Sequence, residues 1–326
     1  MRERHEACNV TIYPRAAVPV RQPFVERDYY SDPRRRARSA LVRLLRRPVR
    51  RLGFDLEVRS FYSPIPAVEE LDEQLWSSRS ELRGLEFDLD RQLHHLEHEL
   101  APYVGEFKPP RRSNGRTGAY FLDNGLFGAG DAELLYAAIR RHRPRLVLEL
   151  GAGFSTLVSA AAVRANRAEG HETRLISCDP YASREAAATV DGLAELRPIA
   201  AERLDETLFA ALGDGDILFI DSSHAVRLGG DVIHLTCEVL PSLAPGVIVH
   251  FHDIYLPYPY PRAWYERLGW YWAEQYMLQA LLAGSERFDV LIAAHALWRE
   301  RTERFTATIP TIDPINPPLS FWMRVR

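Results

Sequence analysis

From Pro144 onward, short runs of apolar β-formers alternate with helical stretches, and this alternation constrains the fold more than any other feature of the chain. Residues 145–150 (RLVLEL), 174–178 (RLISC), 196–200, 216–220 (DILFI), 246–251 (GVIVHF), 288–293 and 319–325 read as strands. Residues 155–167, 183–193, 205–212, 231–240 and an aromatic stretch from 264 to 282 read as helices. A strand, a helix and a further strand imply a crossover connection. The expected class is therefore α/β, with a mainly parallel sheet covered on both faces.

The first third of the chain reads differently. Residues 1–60 form an arm rich in Arg and Pro with weak periodicity. Within it, residues 31–53 (SDPRRRARSALVRLLRRPVRRLG) carry nine arginines and one acid. A solvated arm is the reading we prefer, against an amphipathic helix that meets a membrane or an acidic partner. Residues 61–118 read as a helical extension and linker. Leu71, Leu75, Leu82, Leu85, Leu89, Leu93, Leu96 and Leu100 recur at three, four or seven residues, so we expect one helix from 66 to 100. His94 and His98 stand one turn apart on its polar side. We read them as solvated histidines, not a metal pair, since no third ligand lies nearby in sequence. Residues 119–326 form the main domain.

Residues 149–156 (ELGAGFST) place Gly151 and Gly153 where the first strand turns into the first helix of the alternation. Glycines there permit positive φ and close approach of a ligand, and the helix start adds N–H donors. Thr156 occupies the third-glycine position of a dinucleotide fingerprint, so the turn departs from that pattern. Glu149 instead supplies a carboxylate two residues before Gly151, suited to an ammonium group. Asp179 ends the second strand, where a carboxylate accepts from two ribose hydroxyls. Together these point to S-adenosylmethionine. Ser155, Thr156, Tyr181, Asp221 and Ser222 join the expected cofactor-binding set. So do Asn124 and Phe127 in YFLDNGLFGAGD (120–131), as cover for the methionine end; we expect Asp131 to cap the helix that follows.

With these residues in hand, the chain resembles the class I S-adenosylmethionine-dependent methyltransferases. ELGAGFSTL and ISCDP are similar to their first two motifs, and FIDSSH and LAPGVIVHFHDI to the subgroup called methyltransferase family 24. The resemblance runs from about Tyr120 to Arg326. It implies a Rossmann-like seven-stranded sheet, mostly parallel with an antiparallel last strand, behind a helical N-terminal extension.

Ionisable groups gather after the fourth and fifth strands: Asp221 and His224, then His250, His252 and Asp253. Two readings stand. In one, Asp221 and Asp253 hold a divalent cation such as Mg2+, as related methyltransferases do at these strand ends; Ile254 stands where a further ligand is usual. In the other, His224 or His252 is a general base, with Asp253 in the catalytic set. His250 reads as a core histidine. The loop 255–264, with three prolines and several aromatics, reads as a stiff substrate wall.

The formal charge of -3 gives no pull toward nucleic acid, and none is expected as a partner. Cys8, Cys178 and Cys237 form no paired framework, and residues 1–10 lack a signal-peptide core, so a cytoplasmic location is the default. We expect methyl transfer to a small-molecule acceptor, most readily a hydroxyl or glycoside. The alternatives are a non-methylating metal-dependent enzyme, hydroxylase-like or lyase-like, and a cofactor-binding scaffold. A homo-oligomer is compatible with either.

Overall fold

The computed structural model describes residues 33–57, 63–116, 118–312 and 315–326. Residues 1–32 of the expected arm, Cys8 among them, lie outside the described residues. The chain divides between Ala67 and Val68 into two units. In the first, the helix α1 covers Pro33–Arg51.

The second unit is built on seven strands: β1 (Leu146–Leu150), β2 (Arg174–Cys178), β3 (Glu195–Arg197), β4 (Ile217–Ile220), β5 (Ile248–Phe251), β6 (Phe288–Ala293) and β7 (Phe321–Val325). They form one sheet in the order β3-β2-β1-β4-β5-β7-β6. β1 to β5 pair in parallel, and β7 runs antiparallel to both β5 and β6. This is the Rossmann-like methyltransferase arrangement that the resemblance implies. β1, β4 and β5 are buried along their whole length, which explains why their sequences are apolar without alternation.

Ten helices are described in all, and nine belong to this unit. α2 starts as Leu89–His95 and runs on through a π turn (Leu96–Leu100) into Ala101–Val104. Next come α3 (Asp131–His142), α4 (Phe154–Ala168), α5 (Arg184–Ala187) and α6 (Glu206–Ala210). α7 joins Asp231–His234, a π turn (Leu235–Val239) and Leu240–Ser242; α8 is Glu274–Leu282, α9 Ala294–Glu300 and α10 Thr302–Thr308. α2 buries Leu89, Leu93, Leu96 and Leu100 on one face, and its Gln92 Oε1 accepts from the Ala293 amide at the end of β6 (2.9 Å). No described helix is long and apolar enough to cross a membrane.

Two expected helices need correction. The helix expected over 66–100 begins only at Leu89. Upstream, Leu82 (φ 47°) and Gly84 (φ 79°) are left-handed, and the chain makes short 3-10 turns at Val68–Glu70 and Glu73–Ser77. Its backbone pairs with other segments instead: Ser80 N donates to Pro257 O, and Gly84 O accepts from Gly284 N. Leucine spacing alone cannot see such partners. The expected helix 264–282 is likewise split. A π turn at Trp264–Leu268 ends on Gly269 (φ 65°), and α8 starts where Ala273 N and Glu274 N donate to His224 O. α9 and α10, between β6 and β7, were not foreseen.

Candidate active site

The order β2-β1-β4-β5 places a switch point between β1 and β4, where open α/β sheets bind ligands at the carboxyl ends of their strands. Leu150 pairs with Ile220, and Ile220 with Phe251. Residues just past these pairs therefore come level across the sheet: Gly151, Asp221 and His252.

Gly151 has φ 99°, and a Cβ there would meet Asp221 O at 1.9 Å. Only glycine fits, and the β1 turn is thereby seated on the end of β4. Gly153 differs: its φ of -176° suits any residue, and a Cβ would enter open space. Its value is the room it leaves above the start of α4. Glu149 is wholly buried, its two oxygens accepting from Ser155 Oγ and Thr156 Oγ1 at 2.7 Å each. Thr156 Oγ1 in turn accepts from Gly153 N (3.0 Å), so Glu149 braces the turn from below. Burial pushes its carboxyl up to about 7, against the hydroxyls that favour the ionised form. Asp179 Oδ2 accepts from Ala152 N (3.0 Å) and Oδ1 from Tyr181 N (2.6 Å). A cavity of about 410 Å³ opens here, lined by Gly151, Asp179, Tyr181, Asp221 and Ser222. The Tyr181 ring itself is exposed.

On the β4 and β5 side, Asp221, His252 and Asp253 offer ligand atoms that all lie within 4.8 Å of one another; they are the one such group of three among the described residues. His252 Nδ1 stands 3.6 Å from Asp221 Oδ2 and 3.7 Å from Asp253 Oδ2. His224 Nε2 approaches Asp221 Oδ1 (3.3 Å) and Asp253 Oδ2 (3.5 Å). The second nitrogen of each imidazole meets a buried carboxylate. His224 Nδ1 lies 2.8 Å from Glu274 Oε2, and His252 Nε2 lies 3.4 Å from Asp131 Oδ2. His224 (φ 56°) and Asp253 (φ 58°) both hold left-handed backbone. Such strain persists only where surrounding structure enforces it, and it gathers at functional sites.

Burial opposes charge throughout this group, and the neighbours decide the outcome. It would lower His224, yet contacts with Asp221 and Glu274 push it up to about 10. It would lower His252 too, but Asp253 and Asp221 hold it well above its usual value. It would raise Asp221, but His252 and His224 hold that carboxyl well below the usual range. Asp253 and Glu274 are raised by burial.

A second cavity, of about 490 Å³, has His252, Asp253, Tyr255, Trp264, Trp270 and Trp272 in its wall. Trp270 and Trp272 stack in parallel (4.8 Å, 5°), and Trp264 meets Trp272 edge-on. From the expected wall 255–264, Tyr255 and Trp264 line this cavity. Tyr258 and Tyr260 point elsewhere, Tyr258 Oη donating to Glu300 Oε1 (3.0 Å). Asn124 spends its amide on the loop 121–127: Nδ2 donates to Phe121 O and Phe127 O, and Oδ1 accepts from Leu126 N and Phe127 N. Phe127 is buried against His252 (4.9 Å). His250 lines neither cavity. It is wholly buried, stacked on Phe219 (4.3 Å), with Nε2 3.0 Å from Ser320 Oγ. His94 and His98 stack on one another at 4.0 Å and join no group of three.

Residues 148–254, which hold both strand-end groups, match the family model described as a methyltransferase domain. The match covers about a third of the chain and, with the sheet order, supports a class I methyltransferase domain. That domain implies S-adenosylmethionine as its cofactor. A stretch of 105 residues, 30% of the chain, is 34% identical to an uncharacterized protein of Archaeoglobus fulgidus and spans 47% of that relative, about half its length.

Three supports of this site were not legible in the sequence. Asp131 was expected as a cap, but Gly130 takes that place. Asp131 Oδ1 instead accepts from Leu319 N (2.9 Å), Ser320 N (2.8 Å) and Ser320 Oγ (2.6 Å), leaving Oδ2 to face His252. Asp231 accepts from Ser223 N (2.8 Å) and Ser223 Oγ (2.5 Å), fixing the loop after β4. Glu274 opens α8 and is buried. A buried acid at a helix start was the available signal, but nothing local ties it to a histidine 50 residues away.

Proposed function

We propose that the chain moves the methyl group of S-adenosylmethionine to a hydroxyl oxygen of a small, neutral acceptor. The observation that carries this reading is the position of the carboxylate–imidazole cluster. Asp221 lines the cavity beside the glycine turn, while His252 and Asp253 line the tryptophan-walled one. A methyl donor in the first and an acceptor in the second would meet at that shared wall.

The cofactor brings an activated sulfonium, so the protein's task is alignment and exclusion of water. In this reading Asp179 receives the ribose hydroxyls while its backbone contacts hold it in place. Gly151, Gly153 and Ser222 leave room for the nucleoside, and Tyr181 flanks it. Glu149, Ser155 and Thr156 shape the turn, Glu149 acting through the two hydroxyls. Asn124 and Phe127 keep the 121–127 loop against the cluster.

Two carboxylates and one imidazole suit a divalent cation that favours oxygen and nitrogen, Mg2+ or Mn2+. Asp221, His252 and Asp253 would hold it, with His252, just before the fifth-strand acid, in place of a ligand at Ile254. Such an ion lowers the pKa of a bound hydroxyl. Asp221 and Glu274 favour the protonated form of His224, and a cation on Asp221 and Asp253 would offset that and leave the imidazole able to accept a proton. Glu274 would then orient His224 as the base. Trp270 and Trp272 offer a flat face to a ring-bearing acceptor.

Calorimetry with S-adenosylhomocysteine, and methyl transfer assayed with and without EDTA, test the reading. We expect binding of the nucleoside and loss of transfer in EDTA that Mg2+ or Mn2+ restores. Full activity in EDTA removes the cation. Binding of neither S-adenosylmethionine nor S-adenosylhomocysteine removes methyl transfer and favours a non-methylating metal enzyme.

A further inference from the structure

α1 carries an apolar stripe that lies in water. Leu41, Leu44, Leu45, Pro48, Val49 and Leu52, the last just past the helix end, recur at three, four and seven residues and fall on one face. Leu41 is 55% exposed, Leu44 75% and Leu52 75%. Arg43, Arg46, Arg47, Arg50 and Arg51 occupy the opposite face. Asp55 ion-pairs with Arg50 (2.8 Å) and approaches Arg46 (3.9 Å), with all three side chains largely exposed. Among the described residues no other acid pairs with these five arginines. Exposed leucines opposed by a dense row of guanidinium groups cost free energy in water on one side and repel each other on the other.

We propose that α1 lies flat on an anionic lipid surface, its leucines in the acyl boundary and its arginines on headgroup phosphates. This is an interaction surface, independent of the methyl-transfer reading. A bilayer satisfies both faces at once: apolar depth on one side, dense negative charge on the other. Guanidinium is the cation best shaped for phosphate oxygens. A nucleic acid would match the arginines and leave the leucines wet. A second copy of the helix would bring nine more arginines against the first nine. It would also place Pro48 and Arg51 at the seam positions that follow Leu41 and Leu44 in a heptad.

Co-sedimentation of the full chain with vesicles tests this. The chain should partition at least tenfold more onto phosphatidylcholine–phosphatidylglycerol vesicles than onto phosphatidylcholine alone, and the preference should fall as salt rises. Leu44→Glu with Leu45→Glu, and separately Arg43→Glu with Arg47→Glu, should each lower that partition at least tenfold while the thermal unfolding midpoint of the chain stays unchanged. The salt titration needs no variant and so stands even if one fails to fold. The proposal falls if the chain ignores anionic vesicles, binds neutral ones equally, or binds undiminished in both variants. It also falls if sedimentation velocity shows the leucine variant dissociating an oligomer while the parent chain binds no vesicle, for then a second copy covers the face.

Discussion

The two halves of the sheet end are built by different rules. Beside β1 and β2, Glu149 finds its partners six and seven residues away, and Asp179 holds Tyr181 two residues on and Ala152 from the neighbouring turn. Beside β4 and β5, His224 leans on Glu274 and His252 on Asp131, 50 and 121 residues distant. The first half is a turn that braces itself. The second is a charged cluster that exists only once α3 and α8 have docked. A self-bracing turn holds its shape through backbone and hydroxyls, as the proposed nucleoside site requires. A cluster of acids and imidazoles backed by remote carboxylates suits the charge and proton work proposed for it.

The largest test strikes where the halves touch. Gly151→Ala forces a Cβ into Asp221 O in a backbone conformation alanine resists, and should cost about 3 kcal/mol or more in denaturant unfolding. A stable variant would mean that the two halves are less tightly coupled than their contact implies. Next, Asp253→Asn should slow methyl transfer by roughly a thousandfold with S-adenosylhomocysteine affinity within about threefold. Asp179→Ala should show the reverse pattern, weakening that affinity at least about tenfold. Equal effects of both changes on binding would erase the division. Glu274→Gln should cut the rate roughly ten- to a hundredfold, and it should move the rise of activity with pH to lower pH. The sign follows from Glu274 raising His224; an unmoved profile would leave Glu274 as packing alone.

The smallest effects are in stability, and they run in opposite directions. Buried Glu149 titrates at about 7, so it costs nothing below about 4.5, and its cost grows as pH rises to about 7. His295, buried behind Tyr255, is pushed down to about 4 by burial and Arg299. It is neutral in both states above about 6.5, and the unfolded chain gains a proton first as pH falls, so stability is lost between about 6.5 and 4. Glu149→Gln should flatten the first limb and His295→Gln the second, each by a few kcal/mol at most. Unchanged limbs in urea midpoints across this pH range would show that these groups titrate normally.

The positions of the central strands were legible because parallel strands buried on both faces are mostly apolar, and β1, β2, β4 and β5 are; their order in the sheet followed only from the resemblance. The glycine turn was legible because Gly151 answers a local backbone demand. Leu71 and Leu75, read on the same helical spacing as Leu93 and Leu96, misled because spacing does not record that Ser80 and Gly84 pair with the 257 and 284 loops. Gly269 was a helix breaker in plain sight within the 264–282 stretch.

The sequence by itself determined the α/β class, the two strand-end groups and the acids that stand there, since these follow from local periodicity and from what a strand end or a tight turn accepts. Only the tertiary structure decided that His252 joins Asp221 and Asp253, that Asp131 and Glu274 stand behind the imidazoles, and that Trp270 and Trp272 face the cluster. Those contacts span β4, β5, α3 and α8, and long-range packing, unlike a turn, leaves no period in the chain.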